Sequence, residues 1–106
     1  MKEIKEAYQQ CGQIVGEYAP ACFKALSYLP LKQRQASWAV LSFCHTAASA
    51  DEKVLPAFEA KADHVYQRTN NGKQHLWKAF DHAYRTFTLE SEPFREFIAA
   101  QKEDAK

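Results

Sequence analysis

The sequence contains no block of like charge, no apolar run long enough to span a bilayer as a helix, and no glycine-rich loop. Its 14 basic and 13 acidic side chains are mixed along 106 residues and leave a formal net charge of +1. A nucleic-acid-binding protein usually carries a basic stripe, and phosphate loops need clustered glycines, of which the chain has three in all. We therefore expect no nucleic-acid partner, no transmembrane helix and no phosphate loop.

Cysteine is scarce as well. Cys11, Cys22 and Cys44 are odd in number and lack the paired spacing of a zinc site. A reducing compartment is the simpler interpretation, so we expect a cytoplasmic protein. Each thiol is interpreted as a small buried side chain rather than as a nucleophile.

The four histidines raise a metal hypothesis. His75 and His82 lie seven positions apart and could share a helix face, with Asp81 beside the second. A zinc site, however, needs three or four converging ligands. Histidines at the surface or half-buried are therefore the favoured interpretation.

Apolar residues recur at helical spacing almost throughout the chain, beginning with a series from Ile4 to Val15. Pro20, Pro30 and Pro56 suit the starts of further helices, of which the longest runs roughly from Leu31 to Ala50. A turn at Asn70-Asn71-Gly72 ends the fourth helix, and Ser91 is a good N-cap for the last one. No strand or repeat is visible. The sequence predicts an all-α fold with five or six helices, forming one partial domain over residues 1–106.

A set of separate marks gives this chain a resemblance to a known family. The marks occur in order and without gaps, and they are Cys11, Leu29-Pro30, Arg34, Trp38-Ala39 and Phe43-Cys44. The later stretch "EPFREFIAAQKED" adds to them. Together they resemble the N-terminal part of the squalene/phytoene synthase family. The resemblance implies a bundle of α-helices around a deep apolar cavity, in proteins well over twice this length.

The same resemblance implies a chemistry. Family members carry two aspartate-rich motifs on facing helices, whose carboxylates hold Mg²⁺ against the head of a prenyl diphosphate. The metal neutralises the diphosphate as it leaves, and the cavity shields the apolar tail and the carbocation from water. Only the position of the first motif falls within these residues, so most Mg²⁺ ligands are expected outside this chain.

The first aspartate-rich motif departs from the family pattern, which is an arginine, then two aspartates, then one more. Here His45 stands at the arginine, Ala48 and Ser49 at the aspartate pair, and Glu52 at the last aspartate, with Asp51 beside it. If the long helix continued, Ala48 and Glu52 would face one side, one turn apart. Because alanine cannot bind Mg²⁺, Asp51 and Glu52 remain as degenerate metal-ligand candidates. The alternative is a run of alanines chosen for helix propensity.

Other polar positions of the family are also changed. Tyr18-Ala19 replace a common His-Ser pair, Ala21-Cys22 replace a Ser-Phe pair, and Leu41 replaces a tyrosine. The substrate-binding candidates that the resemblance implies are the residues at five positions: Ala19, Cys22, Leu41, His45 and Ala48. The part of the site that is polar in the family has therefore become small and apolar here.

Ordinary family members condense two prenyl diphosphates head to head, which requires both metal clusters. With the first cluster degraded, one substrate could still bind through the second, and water could then capture the cation or attack phosphorus. The resemblance therefore implies an enzyme that hydrolyses a farnesyl-type diphosphate to the alcohol. The alternatives are a non-catalytic assembly or interaction protein and a true prenyl transferase. We expect the 106-residue chain alone to be inactive without further helices, and we expect peripheral membrane contact through an apolar substrate or product.

Overall fold

The protein is described by a computed structural model over residues 2–69 and 74–104. Those residues form six α-helices and no strand, which confirms the all-α prediction. The helices are α1 (Lys2–Tyr18), α2 (Pro20–Leu26), α3 (Leu31–Ser49), α4 (Leu55–Tyr66), α5 (His75–Thr86) and α6 (Glu92–Asp104). The turn predicted at Asn70–Gly72 lies outside the described residues. Among the helices described, none is both long and apolar enough to cross a membrane.

Proline sets the starts of three helices, as the sequence predicted. Pro20 is the first residue of α2, Pro30 directly precedes α3, and Pro56 lies in the first turn of α4. The fixed φ of proline suits a first turn, where its missing N–H would have no intrahelical acceptor. The helix α3 ends at Ser49, one residue before the predicted end. Ala50 is extended, with ψ of 137°.

The core is centred on Phe43 of α3, which is fully buried. Its ring lies 4.5 Å from that of Phe80, 5.0 Å from Phe58 and 5.3 Å from Phe94, measured between centroids. One side chain thus joins α3 to α4, α5 and α6. Truncating a buried phenylalanine of this kind typically costs about 3–5 kcal/mol. This anchoring fixes one face of α3 and leaves the opposite face to α1 and α2.

That opposite face packs closely on α1. A Cβ added to Gly12 would lie 2.9 Å from Cε3 of Trp38, so the close approach of the two helices depends on the glycine. The hydroxyl of Ser42, fully buried, donates to the carbonyl oxygen of Cys11 over 3.0 Å. The Phe23 ring stacks on Trp38, with centroids 5.7 Å apart, and holds α2 over the same contact.

Candidate functional site

An apolar groove lies between α2, α3 and the segment that follows α5. Its volume is about 550 Å³. Its apolar lining residues are Cys22, Leu26, Ala36, Val40, Leu41, Phe87 and Leu89. Cys22 and Leu41 are two of the five substrate-binding candidates, and the structure brings them together here. Small-molecule sites are concave, largely apolar and about 300–1,000 Å³ in volume, so this groove has the size and character of a ligand site.

The far wall of the apolar groove comes from an unusual turn. Thr88 has φ of 52°, a left-handed conformation that a β-branched residue rarely adopts. The N–H of Leu89 donates to the Tyr84 carbonyl over 3.0 Å, which satisfies the end of α5 in the manner of a Schellman motif. Phe87 and Leu89 therefore flank the turn and reach the groove. No glycine marks this turn in the sequence, so Phe87 and Leu89 were not predicted to line a ligand site.

His45 lies beside Leu41 on α3 but contacts α1. Its ring stacks on Tyr18, with centroids 4.1 Å apart and planes 9° apart. The Tyr18 hydroxyl donates to the Leu41 carbonyl over 3.0 Å. Burial raises the pKa of Tyr18, so the phenol stays neutral and remains a donor. Tyr18 thus joins two of the candidates. The replacement of the family's histidine by Tyr18 was visible in the sequence, but the contacts of Tyr18 with Leu41 and His45 were not predicted.

Ala19 has a structural role at the start of α2. It is the N-cap residue, with φ of −142°, and its carbonyl accepts from the Phe23 N–H over 2.9 Å. No side chain caps this helix. A serine hydroxyl at an N-cap would accept a hydrogen bond from the first turn, which alanine cannot do. The polar side chain of the family at this position therefore fits a helix cap as well as a ligand contact.

The stretch from Ala48 to Glu52 does not form one helix. Ala48 and Ser49 are exposed in the last turn of α3, Ala50 is extended, and Glu52 is exposed in the turn before α4. Ala48 and Glu52 would lie one turn apart only if a single helix continued through both, and α3 ends at Ser49 instead. Asp51 Oδ1 accepts hydrogen bonds from the N–H groups of Lys53 and Val54, each at 2.9 Å. Its carboxylate therefore caps the entry to α4.

This donor set does not fit Mg²⁺. The ion needs several converging oxygen ligands at close to octahedral geometry. One of the two Asp51 carboxylate oxygens, Oδ1, accepts from two backbone amides. Glu52 lies exposed in the turn before α4, outside the helix that would have aligned it with position 48. Within residues 2–69 and 74–104, no three His, Cys, Asp or Glu side chains are grouped to hold a metal. Within the described residues, Asp51 and Glu52 therefore form no complete ligand set for Mg²⁺.

The three side chains considered for a zinc site do not converge in the structure. His82 Nδ1 lies 2.7 Å from the Tyr8 hydroxyl, and Asp81 pairs with Arg85 at 3.3 Å. His75 is exposed at the first residue of α5. These three side chains therefore have protein partners or solvent around them rather than one another.

The three thiols are free and differ in burial. Cys11 is buried, whereas Cys22 and Cys44 are half-buried. Burial raises the pKa of Cys11 to about 11 and also raises that of Cys44. Both thiols therefore stay protonated at neutral pH, which agrees with the prediction of small packing residues rather than nucleophiles.

Comparison with known proteins adds to this geometry. The family model described as squalene/phytoene synthase matches residues 15–106. The chain is 26% identical to the 15-cis-phytoene synthase of Synechocystis sp. over 110 residues, which cover 95% of this chain and 32% of the relative. It is also 26% identical to the phytoene synthase of Arthrospira platensis, covering 93% and 34%.

Among solved structures, the crystal structure of YisP from Bacillus subtilis is similar, with 76% identity and a TM-score of 0.72. That match covers 100% of this chain and 33% of the YisP chain. The chain thus spans about a third of the length of the relatives it matches.

Proposed function

The chain belongs to the squalene/phytoene synthase family, and we propose that the full-length protein hydrolyses a farnesyl-type diphosphate to the alcohol instead of condensing two such molecules. The observation that carries the proposal is the end of α3 at Ser49, with the Asp51 carboxylate bonded to two backbone amides. Condensation requires two diphosphates held side by side, and each brings several negative charges. Without a first carboxylate pair to bind bridging cations, anchoring the second diphosphate becomes unfavourable.

The apolar groove is the proposed site of the prenyl chain. Cys22 and Leu41 offer it apolar surface, and burying a hydrocarbon chain there contributes about 25 cal/mol per Å² of apolar area. The half-buried His45, held by Tyr18, is the side chain that stands at the position of the family's arginine. We place the residues that bind the diphosphate, and any Mg²⁺ ligands, outside residues 1–106.

The hydrolysis can follow either of two routes, which differ in the bond that breaks. In one, the allylic C–O bond breaks, pyrophosphate leaves with the electron pair, and water adds to carbon with loss of a proton. In the other, water attacks the phosphorus that carries the prenyl oxygen, the P–O bond to that oxygen breaks, and the alcohol leaves with its original oxygen as pyrophosphate is released. Reaction in ¹⁸O-labelled water distinguishes them, because the label enters the alcohol in the first route and the pyrophosphate in the second.

The test is product analysis with the full-length protein. Incubation with farnesyl diphosphate and Mg²⁺ should give farnesol and no head-to-head hydrocarbon. Leu41→Asp should raise KM, because it puts a carboxylate into the apolar groove, whereas Ala57→Asp on the exposed face of α4 should not. A condensed hydrocarbon product would overturn the proposal in favour of a true transferase.

A second candidate, a non-catalytic helical assembly protein, is favoured by the same structural use of Asp51. This candidate predicts no turnover, by hydrolysis or by condensation, in a folded full-length protein. It also predicts that the second aspartate-rich motif of the family is missing from the remainder of the protein. Either finding would favour it over the hydrolase.

A further inference from the structure

A second groove, distinct in character, lies where α1 and α3 begin and α5 ends. We call it the basic groove, and its volume is about 820 Å³. Three apolar and three basic side chains that line it are Ile4, Leu31, Phe87, Lys5, Lys32 and His82. Lys32 and Ala48 are sixteen residues apart on α3, or about 24 Å along the helix axis. The basic groove is therefore remote from the degenerate aspartate-rich motif.

The two lysines of the basic groove have no acidic partner among the described residues. No carboxylate lines it among the described residues. Glu3, the acid nearest to Lys5 on its amino-terminal side, reaches Lys78 instead, at 4.0 Å. Across residues 2–69 and 74–104, neither Lys5 nor Lys32 forms an ion pair. Two free ammonium groups over one concavity favour an anionic ligand.

Tyr8 holds the His82 ring in place at the basic groove. The Tyr8 side chain is almost fully buried, and its hydroxyl lies 2.7 Å from Nδ1 of His82. The two rings also meet edge to face, with centroids 5.6 Å apart. One basic side chain of the groove is therefore fixed by contact with α1.

Two large apolar side chains that line the basic groove are exposed, Leu31 at 57% and Phe87 at 40%. Tyr28, in the turn three residues before Leu31, is 82% exposed. A free inorganic anion would gain nothing from such side chains. A membrane surface offers both an acidic headgroup for lysine and an apolar layer for leucine and aromatic rings. The combination favours a lipid surface over a small soluble anion.

We propose that the basic groove binds the acidic headgroup of an anionic membrane lipid, with Tyr28, Leu31 and Phe87 entering the apolar boundary of the bilayer. Phe87 also lines the apolar groove. Docking at this end therefore brings the apolar groove to the membrane surface, where a poorly soluble prenyl chain can enter or leave. Binding to such a surface does not depend on which reaction the protein catalyses.

The experiment is vesicle co-sedimentation of the full-length protein. Vesicles of phosphatidylcholine alone are compared with vesicles that also contain phosphatidylglycerol. Binding should require phosphatidylglycerol and should weaken about 30-fold in the Lys5→Gln/Lys32→Gln variant, since each lysine near an anionic surface contributes a factor of about five. The control, Lys53→Gln/Lys61→Gln, removes the same charge from the turn before α4 and from α4, away from the groove, and should bind as the wild type does.

One further variant tests the role of the apolar side chains, and one further ligand tests whether a free anion binds instead of a lipid headgroup. Leu31→Ser keeps both lysines and should also weaken vesicle binding; melting curves establish that each variant is folded. Equal loss in the groove and control variants would overturn the proposal, because it would show a general charge effect. Saturation of the groove by inorganic pyrophosphate, seen as a shift of the His82 ring resonances, without vesicle binding, would overturn it in favour of a free-anion site.

Discussion

Tyr18 and His45 lie flat against one another, with ring centroids 4.1 Å apart and planes 9° apart. Both stand at positions where the family carries other polar residues, a histidine and an arginine. The two departures are therefore neighbours in space although they are 27 positions apart in the sequence. A stacked ring pair stands where the family carries two side chains suited to an anion. This stacking is one of the contacts that join α1 to α3.

Restoring the arginine should add anion binding without loss of the fold. In His45→Arg, the planar guanidinium can keep the stack on Tyr18 as a cation–π contact. We expect a melting temperature close to that of the wild type and pyrophosphate affinity raised about fivefold or more in the full-length protein, by calorimetric titration. His45→Leu, which keeps bulk but adds no charge, is the control and should show no gain. An arginine variant that unfolds would contradict the stacking argument.

Restoring a serine at the start of α2 should stabilise the protein. Ala19 is the N-cap of α2 and provides no side-chain acceptor. Ala19→Ser should raise the free energy of unfolding by about 1 kcal/mol, measured from the urea midpoint. Ala21→Ser restores the other family serine inside the same helix, at an exposed position, and should give no gain. Equal effects of both serines would show that capping is not the cause.

Stability should fall in alkaline solution because of two buried groups. Burial raises the pKa of Cys11 from 9.0 to about 11 and that of Tyr8 from 10.0 to about 12. Both groups are protonated in the folded state while the unfolded chain ionises, so the stability is full below pH 9 and decreases as pH rises towards 12. Each group contributes roughly 2–3 kcal/mol to the decrease. Urea midpoints against pH measure it, and Cys11→Ala should flatten the portion from pH 9 to 11.

Sequence periodicity predicted the helices well because every helix except α2 buries apolar side chains and proline marks three of the starts. Phe43 lies in the longest of the predicted helices and is fully buried at the centre of the core. The end of α3 was predicted to within one residue, because the predicted helix ran roughly to Ala50. The hydrogen bonds of Asp51 were not predicted. Its Oδ1 accepts from the N–H groups of Lys53 and Val54 and so caps the entry to α4, which apolar periodicity does not indicate.

Two of the five substrate-binding candidates, Cys22 and Leu41, line the apolar groove. The resemblance selected them, and their contact with substrate stays a prediction. It could not select Phe87 or Leu89, whose placement depends on the left-handed Thr88. A conformation that the local sequence disfavours is fixed by tertiary packing, and no periodicity reports it.

The 106-residue chain alone should be catalytically inactive and should expose the apolar groove. Farnesyl diphosphate with the isolated chain should release no phosphate or pyrophosphate above a boiled control. An environment-sensitive dye should bind, because Leu31, Val54 and Phe87 are exposed and the groove is apolar. Leu41→Asp should reduce the dye signal more than Ala57→Asp does. A dye-silent monomer in sedimentation, or measurable turnover, would contradict the expectation.

The carboxylate of Asp51 should act in folding and not in metal binding. Asp51→Ala removes the acceptor for the Lys53 and Val54 amides, and it should lower the free energy of unfolding by about 0.5–2 kcal/mol. Asp51→Asn keeps an oxygen acceptor and should restore most of that stability, while Glu52→Ala, at an exposed position, should change little. Urea unfolding measures the three variants. A metal ligand would behave otherwise, because asparagine is a weaker ligand for Mg²⁺ than aspartate. If Asp51→Asn is as stable as the wild type but its reaction in the full-length protein requires more Mg²⁺, Asp51 binds the metal and the capping interpretation is wrong.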